Sequence, residues 1–240
     1  REIESTKRLI DHYRGEKPIL ATIFSPMATA QEMYCGHKRQ PMMIAALDNN
    51  PNEVHRGLET ITETTLRFTD ELMKAGIDGV FFATHYCSSH VISDEQHREF
   101  VARYDIPVLD NLAKGTWFSM LHLHGCSNIR TDWHRDYKVQ AFNWEDKQGS
   151  EELRLSVADG MKGHEDKLFI GGLNQYTDFH EPDNDREKTK RIIRDRLADV
   201  ARQIGSDRFI FAPGCAFTND VPLYRFTLID EVVQEYAARA

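Results

Sequence analysis

Six short apolar runs alternate along the chain with longer amphipathic stretches. The runs lie at about 18–24, 79–84, 117–124, 139–143, 167–172 and 208–213. Nearly continuous apolar residues are typical of parallel strands that are covered by helices on both faces. Apolar residues spaced by three and four predict the clearest helices, which start at Pro51 and at residue 186 and end at Gly76 and Gly205. The pattern therefore predicts an α/β fold built on a parallel sheet.

Three other segments are predicted from weaker patterns. Residues 106–109, which contain Pro107, are expected to form a short strand or turn, and a helix is expected over about 150–162. The last helix is expected to begin with Asp220 as its N-cap and Pro222 in its first turn. Its buried positions are predicted to be Leu223, Phe226, Ile229 and Val233.

Polar residues that could take part in binding or catalysis follow the predicted strands and do not precede them. They are Ser25, His85 to Ser88, Asp110, His122 to Cys126, Asn143 to Asp146, Asn174 to Asp178, and Cys215. The carboxyl ends of the strands carry the active sites of (β/α)8 barrels, but doubly wound sheets also bind ligands there. This placement predicts a site at that edge without deciding between the two architectures.

The run 117–124 carries the most specific chemical signal. Side chains alternate across a strand, so His122 and His124 share one face and can converge on one ion. Cys126 follows the turn at Gly125, and Cys215 follows another apolar strand. Two histidines and one distant cysteine would make a three-ligand zinc set with an open fourth position. The alternative is that the histidines are hydrogen-bonded core residues and the cysteines small hydrophobic ones.

Composition limits the classes of function. The 240 residues have a net charge of −8, with 40% hydrophobic and 28% charged residues, as in an ordinary acidic soluble protein. No basic stripe indicates a nucleic-acid partner, and no apolar run or signal-peptide pattern indicates a membrane. Four cysteines are too few for a disulfide scaffold, so we expect reduced thiols and a cytoplasmic location.

Several short motifs together resemble the uroporphyrinogen decarboxylase superfamily, and within it the branch of cobalamin-dependent methyltransferases. They cover essentially the whole chain. The motifs are 18–26, 76–79, 104–109, 121–125, 142–144, 171–173, 212–215 and 220–222. The resemblance implies a (β/α)8 barrel that is often dimeric, so a homodimer is expected. Because such a barrel needs eight strands and only six are predicted, we expect this chain to be N-terminally incomplete.

The methyltransferase branch of the family implies a zinc enzyme. His122 matches the family histidine and Cys215 its late cysteine, whereas His124 stands where that branch has a cysteine. The second ligand therefore stays open between His124 and Cys126, although only His124 shares the strand face with His122. The resemblance implies methyl transfer from a corrinoid to a small-molecule thiol, with a corrinoid protein as a possible partner.

Further residues are candidates for supporting roles. His85, Tyr86 and Asp110 are predicted to position the substrate or handle protons, and the alternative is that they are solvated or hydrogen-bonded rim residues. The loop Asp178 to Glu181 could hold an acid/base pair, but a solvated charged loop is favoured.

Two other functions remain open. A metal-free decarboxylase acting on a tetrapyrrole would need cationic clamps, for which Arg130 is a candidate. The other alternative is a non-catalytic corrinoid- or tetrapyrrole-binding module.

Overall fold

The computed structural model describes residues 1–180, 185–217 and 219–238. The chain forms two compact units, of which the first comprises Arg1–His124 and Ile129–Phe142. The second comprises Gly125–Asn128 and Asn143–Ala240.

Six strands form the sheet in the described residues, and they follow chain order. They are β1 (Leu20–Phe24), β2 (Gly79–Thr84), β3 (Met120–Leu123), β4 (Ala141–Trp144), β5 (Leu168–Leu173) and β6 (Phe209–Pro213). β1 pairs with β2, β2 with β3 and β5 with β6, each in parallel. All six strands lie where the apolar runs predicted them, which confirms the predicted α/β class.

Helices connect the strands. They are α1 (Glu2–Tyr13), α2 (Pro26–Tyr34), α3 (Gln40–Asn49), α4 (Pro51–Ala75), α5 (Asp94–His97), α6 (Arg103–Leu112), α7 (Val157–Gly160), α8 (Arg186–Ile204) and α9 (Tyr224–Ala237). Short 3-10 helices cover His37–Arg39 and Thr131–His134, and a π-helical turn covers Arg98–Ala102. None of the helices in the described ranges is both long and apolar enough to cross a bilayer.

One apolar core of the first unit lies between α2, α3, α4 and α6. Leu58, Tyr86, Val101 and Phe100 are fully or almost fully buried within one apolar cluster of this unit. At the start of β2 the backbone approaches closely, since a Cβ on Gly79 would lie 1.4 Å from the Phe118 carbonyl oxygen. Only glycine lets the chain enter β3 at this distance.

The second unit has its own core beneath α8 and α9. Phe179, Ile193, Leu197 and Leu228 are fully or almost fully buried in it. These side chains fix the helices over β5 and β6 and thereby the loop that follows β6.

The prediction of a strand or turn at 106–109 is wrong, because these residues belong to α6 with Pro107 inside the helix. Proline removes one helical hydrogen bond, which is why it argued against a helix. Burial decides otherwise: Tyr104, Val108 and Leu112 follow a four-residue spacing and are all buried. The π-helical turn Arg98–Ala102 directly precedes this segment.

Two other helix predictions are also corrected. Of residues 150–162, only Val157–Gly160 are helical, because the Ser156 hydroxyl accepts from the Asp159 amide and caps the helix there. The final helix begins at Tyr224 rather than at Asp220. Its buried residues are Arg225, Leu228 and Val232, while the predicted core residue Leu223 is 83% exposed.

Candidate metal centre

The two histidines of the β3 region lie close together in the first unit. His122 is buried within β3, and His124 follows the strand with its amide donating to the Thr84 carbonyl at 2.9 Å. Their ring centroids are 5.6 Å apart, as expected for alternate residues on one strand face. The Phe81 ring stacks on the His122 ring, with ring centroids 4.9 Å apart, and limits rotation of the imidazole.

His85 joins these two histidines from the neighbouring strand. It directly follows β2, and its ring centroid lies 4.8 Å from that of His124. Burial lowers the pKa of His85 to about 4, and the neighbouring His124 and His37 add to this effect. The ring is therefore neutral near pH 7, the state in which imidazole can bind a metal.

Tyr86, which was itself predicted to position the substrate or handle protons, lies in the apolar core of the first unit. Its side chain is fully buried, and its hydroxyl donates to Gln31 Oε1 at 2.5 Å. Burial raises the pKa of Tyr86 above its ordinary value, so the phenol stays protonated. The structure thus shows Tyr86 as a core donor that fixes Gln31.

The prediction that Asp110 follows a strand is wrong. Asp110 lies near the end of α6, whose chain then runs to the amino end of β3 at Met120. Its carboxylate pairs with Lys138 at 2.9 Å, and the side chains of Asp110 and Lys138 are 41% and 60% exposed. The misplacement comes from the helical conformation of residues 106–109, and it separates Asp110 from the carboxyl ends of β2 and β3.

Cys215 lies in the second unit, directly after β6 and Gly214. The Asn143 side-chain amide donates to the carbonyls of Ile170 at 2.6 Å and Pro213 at 3.2 Å. The Gly214 amide donates to the Leu173 carbonyl at 3.1 Å. These bonds tie the end of β6 to β4 and β5 just before the cysteine.

Glu145 is a neighbour of Cys215 that sequence reasoning did not single out. A Cβ on Gly214 would lie 2.7 Å from the Glu145 Cα, so glycine permits this close approach. Burial raises the pKa of the Cys215 thiol, and the charge of Glu145 raises it further. The Glu145 carboxylate also accepts from Gln175 Nε2 at 2.5 Å. The sequence signal that could have identified Glu145 is its position just after β4, within the polar group at 143–146.

His37 and Glu32 were also missed. The His37 ring lies 5.2 Å from that of His85 and 6.1 Å from that of His124. His37 Nδ1 pairs with Glu32 Oε1 at 3.0 Å. Both residues lie around the break between α2 and α3, where no apolar strand marks a site.

The remaining sequence candidates are placed as follows. Cys126 lies in the second unit, with its sulfur 3.9 Å from the Ser127 hydroxyl. In the proposed acid/base loop, Asp178 is buried and forms two 3.0 Å bonds with Arg196, so it has a structural partner. Glu181 lies outside the described residues.

Comparison with known proteins identifies the fold family. The family model for uroporphyrinogen decarboxylase (URO-D) matches residues 2–236. The chain belongs to the uroporphyrinogen decarboxylase family. Its predicted fold class is thereby confirmed as the α/β fold of this family, with six strands in the described residues.

Solved structures share this fold. A methyltransferase from Methanosarcina mazei is similar with a TM-score of 0.75 and 16% identity, over 98% of this chain and 64% of that one. A B12-independent methionine synthase from Shewanella sp. W3-18-1, in complex with selenomethionine, gives a TM-score of 0.60 and 14% identity. That match covers all of this chain and 68% of the synthase chain. This chain thus spans less than two thirds of the length of the Methanosarcina methyltransferase. Comparison with curated protein sequences gave no match.

The donor chemistry at the predicted ligands fits zinc. The first unit offers two imidazoles on one strand face, at His122 and His124, and the second offers a thiol at Cys215. Mixed nitrogen and sulfur donors suit zinc, whereas magnesium and calcium prefer oxygen.

Proposed function

We propose that this uroporphyrinogen decarboxylase family member is a zinc-dependent methyltransferase that moves a methyl group from a corrinoid to a thiol. The observation that carries the proposal is the pair of close imidazoles at His122 and His124, whose ring centroids are 5.6 Å apart. Metal-free decarboxylation gives no reason for such a pair. The names of the two similar structures, a methyltransferase and a methionine synthase, support methyl transfer as the reaction class.

We assign His122, His124 and Cys215 as the zinc ligands. Bound zinc would supply a Lewis-acidic position that holds the substrate thiol as a thiolate. Phe81 limits rotation of the His122 ring by stacking on it, and the hydrogen bonds of Asn143 fix the chain before Cys215. Cys215 must lose its proton to act as a ligand, which its raised pKa opposes unless a cation is taken up.

Another residue of the first unit, His85, contributes to the proposed site. His85 lies beside His124 and is neutral near pH 7, so it can accept a hydrogen bond but is too weak a base to keep the thiol proton. That proton therefore leaves to solvent. A corrinoid donor would supply the methyl group to the sulfur and would keep the electron pair of the broken carbon–cobalt bond.

The second candidate function is metal-free decarboxylation of a tetrapyrrole, which the family description favours. It requires free cationic groups to hold the substrate carboxylates. The candidate Arg130 is already engaged, since its guanidinium bonds to Asp132 at 2.7 Å and lies over the Trp133 ring. We therefore place this function second.

Metal analysis tests the main proposal. Protein purified without added metal should contain zinc, and Cys215→Ser should contain about one zinc per chain less than the wild type. Cys126→Ser is the matched control and should keep its zinc. Loss of zinc with Cys126→Ser but not with His124→Ala would show that Cys126 is the second ligand. Absence of zinc, together with conversion of uroporphyrinogen to coproporphyrinogen, would establish the decarboxylase instead.

A further inference from the structure

A second group of metal-binding side chains lies in the first unit, outside the proposed zinc ligands. Glu32, His37 and His85 each offer one ligand atom, and these three atoms lie within 4.8 Å of one another. His37 Nδ1 is 3.0 Å from Glu32 Oε1, and the His37 and His85 rings meet edge to face at 5.2 Å. We propose that Glu32, His37 and His85 form a second binding site for a divalent transition-metal ion.

Three separate elements bring these side chains together. Glu32 lies on α2, His37 begins the 3-10 helix after Gly36, and His85 follows β2. An ordinary surface ion pair would explain why Glu32 and His37 lie close together. It would not account for His85, which comes from a strand end 48 positions beyond His37 and meets the same two residues.

Glutamine side chains hold the backbone of both histidines. Gln31 Nε2 donates to the His37 carbonyl at 2.8 Å, and Gln40 Nε2 donates to the His85 carbonyl at 3.3 Å. Gln31 is itself buried, and its Oε1 accepts the hydroxyl of Tyr86. The backbone of both histidines is therefore fixed before any ion binds, which reduces the ordering cost of coordination.

The donor set indicates the class of ion. Two imidazoles and one carboxylate with open positions are typical of first-row divalent transition metals such as Fe(II) and Zn(II). Calcium and magnesium are disfavoured because only one of the three donors is an oxygen. His124 lies beside the group, with its ring 4.8 Å from that of His85, so an ion here would neighbour the proposed zinc site.

Titration of metal-stripped protein with Co(II) tests the site. We expect two ions per wild-type chain, and one ion after either His37→Ala or Cys215→Ser. The double variant should bind none. Glu32→Gln should weaken the second ion at least tenfold, while the exposed control His90→Ala should bind as wild type. Circular dichroism of each variant checks that the fold is kept.

The Co(II) spectrum separates this proposal from the zinc proposal. The ion that survives in Cys215→Ser should lack a sulfur-to-cobalt charge-transfer band, whereas the ion that survives in His37→Ala should show one. If the zinc proposal alone fails, wild type should bind one ion that His37→Ala removes and Cys215→Ser leaves. Unchanged stoichiometry and affinity in His37→Ala would overturn the second site.

Discussion

The Asn143 side-chain amide donates a hydrogen bond to the Pro213 carbonyl at 3.2 Å, two residues before Cys215. The same nitrogen also donates to the Ile170 carbonyl at 2.6 Å, so one side chain fixes the ends of two other strands. Positioning of Cys215 therefore depends on a residue that carries no metal-binding atom in our proposal.

Replacing Asn143 with Asp should lower both stability and zinc content. The new carboxylate oxygen would face two carbonyl oxygens in a buried position, which we expect to cost about 1–3 kcal/mol of unfolding free energy. Chemical denaturation and metal analysis measure the two effects. Asn49→Asp is the matched control, because Asn49 is an exposed helical residue that bonds only a local carbonyl in the described contacts. Wild-type zinc content in Asn143→Asp would contradict this role.

Asp105 should make stability fall as the pH rises. It is fully buried, Tyr137 donates to its Oδ2 at 3.0 Å, and its Oδ1 has no hydrogen-bond partner among the described residues. Burial raises the pKa of Asp105 to about 8, whereas it is about 3.9 in an unfolded chain. Between about pH 4 and 8 the folded state holds a proton that the unfolded state has released, so unfolding free energy decreases across this window.

Asp105→Asn should remove this contribution. The variant and the wild type should have similar unfolding free energies near pH 4. As the pH rises towards 8, the variant should become more stable than the wild type, by an amount on the order of a few kcal/mol. Urea denaturation at several pH values measures the difference. Asp166→Asn serves as the control, because the Asp166 side chain is 78% exposed. Parallel pH profiles for Asp105→Asn and wild type would refute the assignment.

Tyr86→Phe should separate the two metal sites. It removes the hydroxyl that fixes Gln31, so we expect a loss of about 1 kcal/mol in stability and weaker binding of the ion at Glu32, His37 and His85. Zinc at the other site should be retained. Tyr34→Phe is the control, since Tyr34 is 61% exposed. Equal weakening of both ions would show a general loss of structure instead.

Binding of a small thiol to the zinc-loaded protein should release about one proton, because the metal holds the thiol as its thiolate. Calorimetry in two buffers of different ionisation enthalpy measures the proton. The metal-stripped protein should neither bind the thiol tightly nor release the proton. Binding without proton release would mean that the thiol does not reach a metal.

The sequence predicted what depends on local periodicity. The apolar runs located all six strands, and alternation along 117–124 placed His122 and His124 on one side. It failed at Pro107, where the burial of Tyr104, Val108 and Leu112 in the first unit outweighs the missing helical hydrogen bond. Asp110 was misplaced for the same reason. Contacts between distant segments, such as His37 with His85 or Glu145 with Cys215, leave no periodic signal and needed the structure.

The close approach at Gly79 affects how mutational data on this protein should be interpreted. Since a Cβ there would lie 1.4 Å from the Phe118 oxygen, every substitution of Gly79 should force the backbone to shift and strongly destabilise the fold. A growth-based mutational scan would therefore score Gly79 as severely as a metal ligand. A parallel measurement of protein abundance would distinguish Gly79 variants from metal-ligand variants. The ligand variants should remain abundant, whereas the abundance of Gly79 variants should fall sharply.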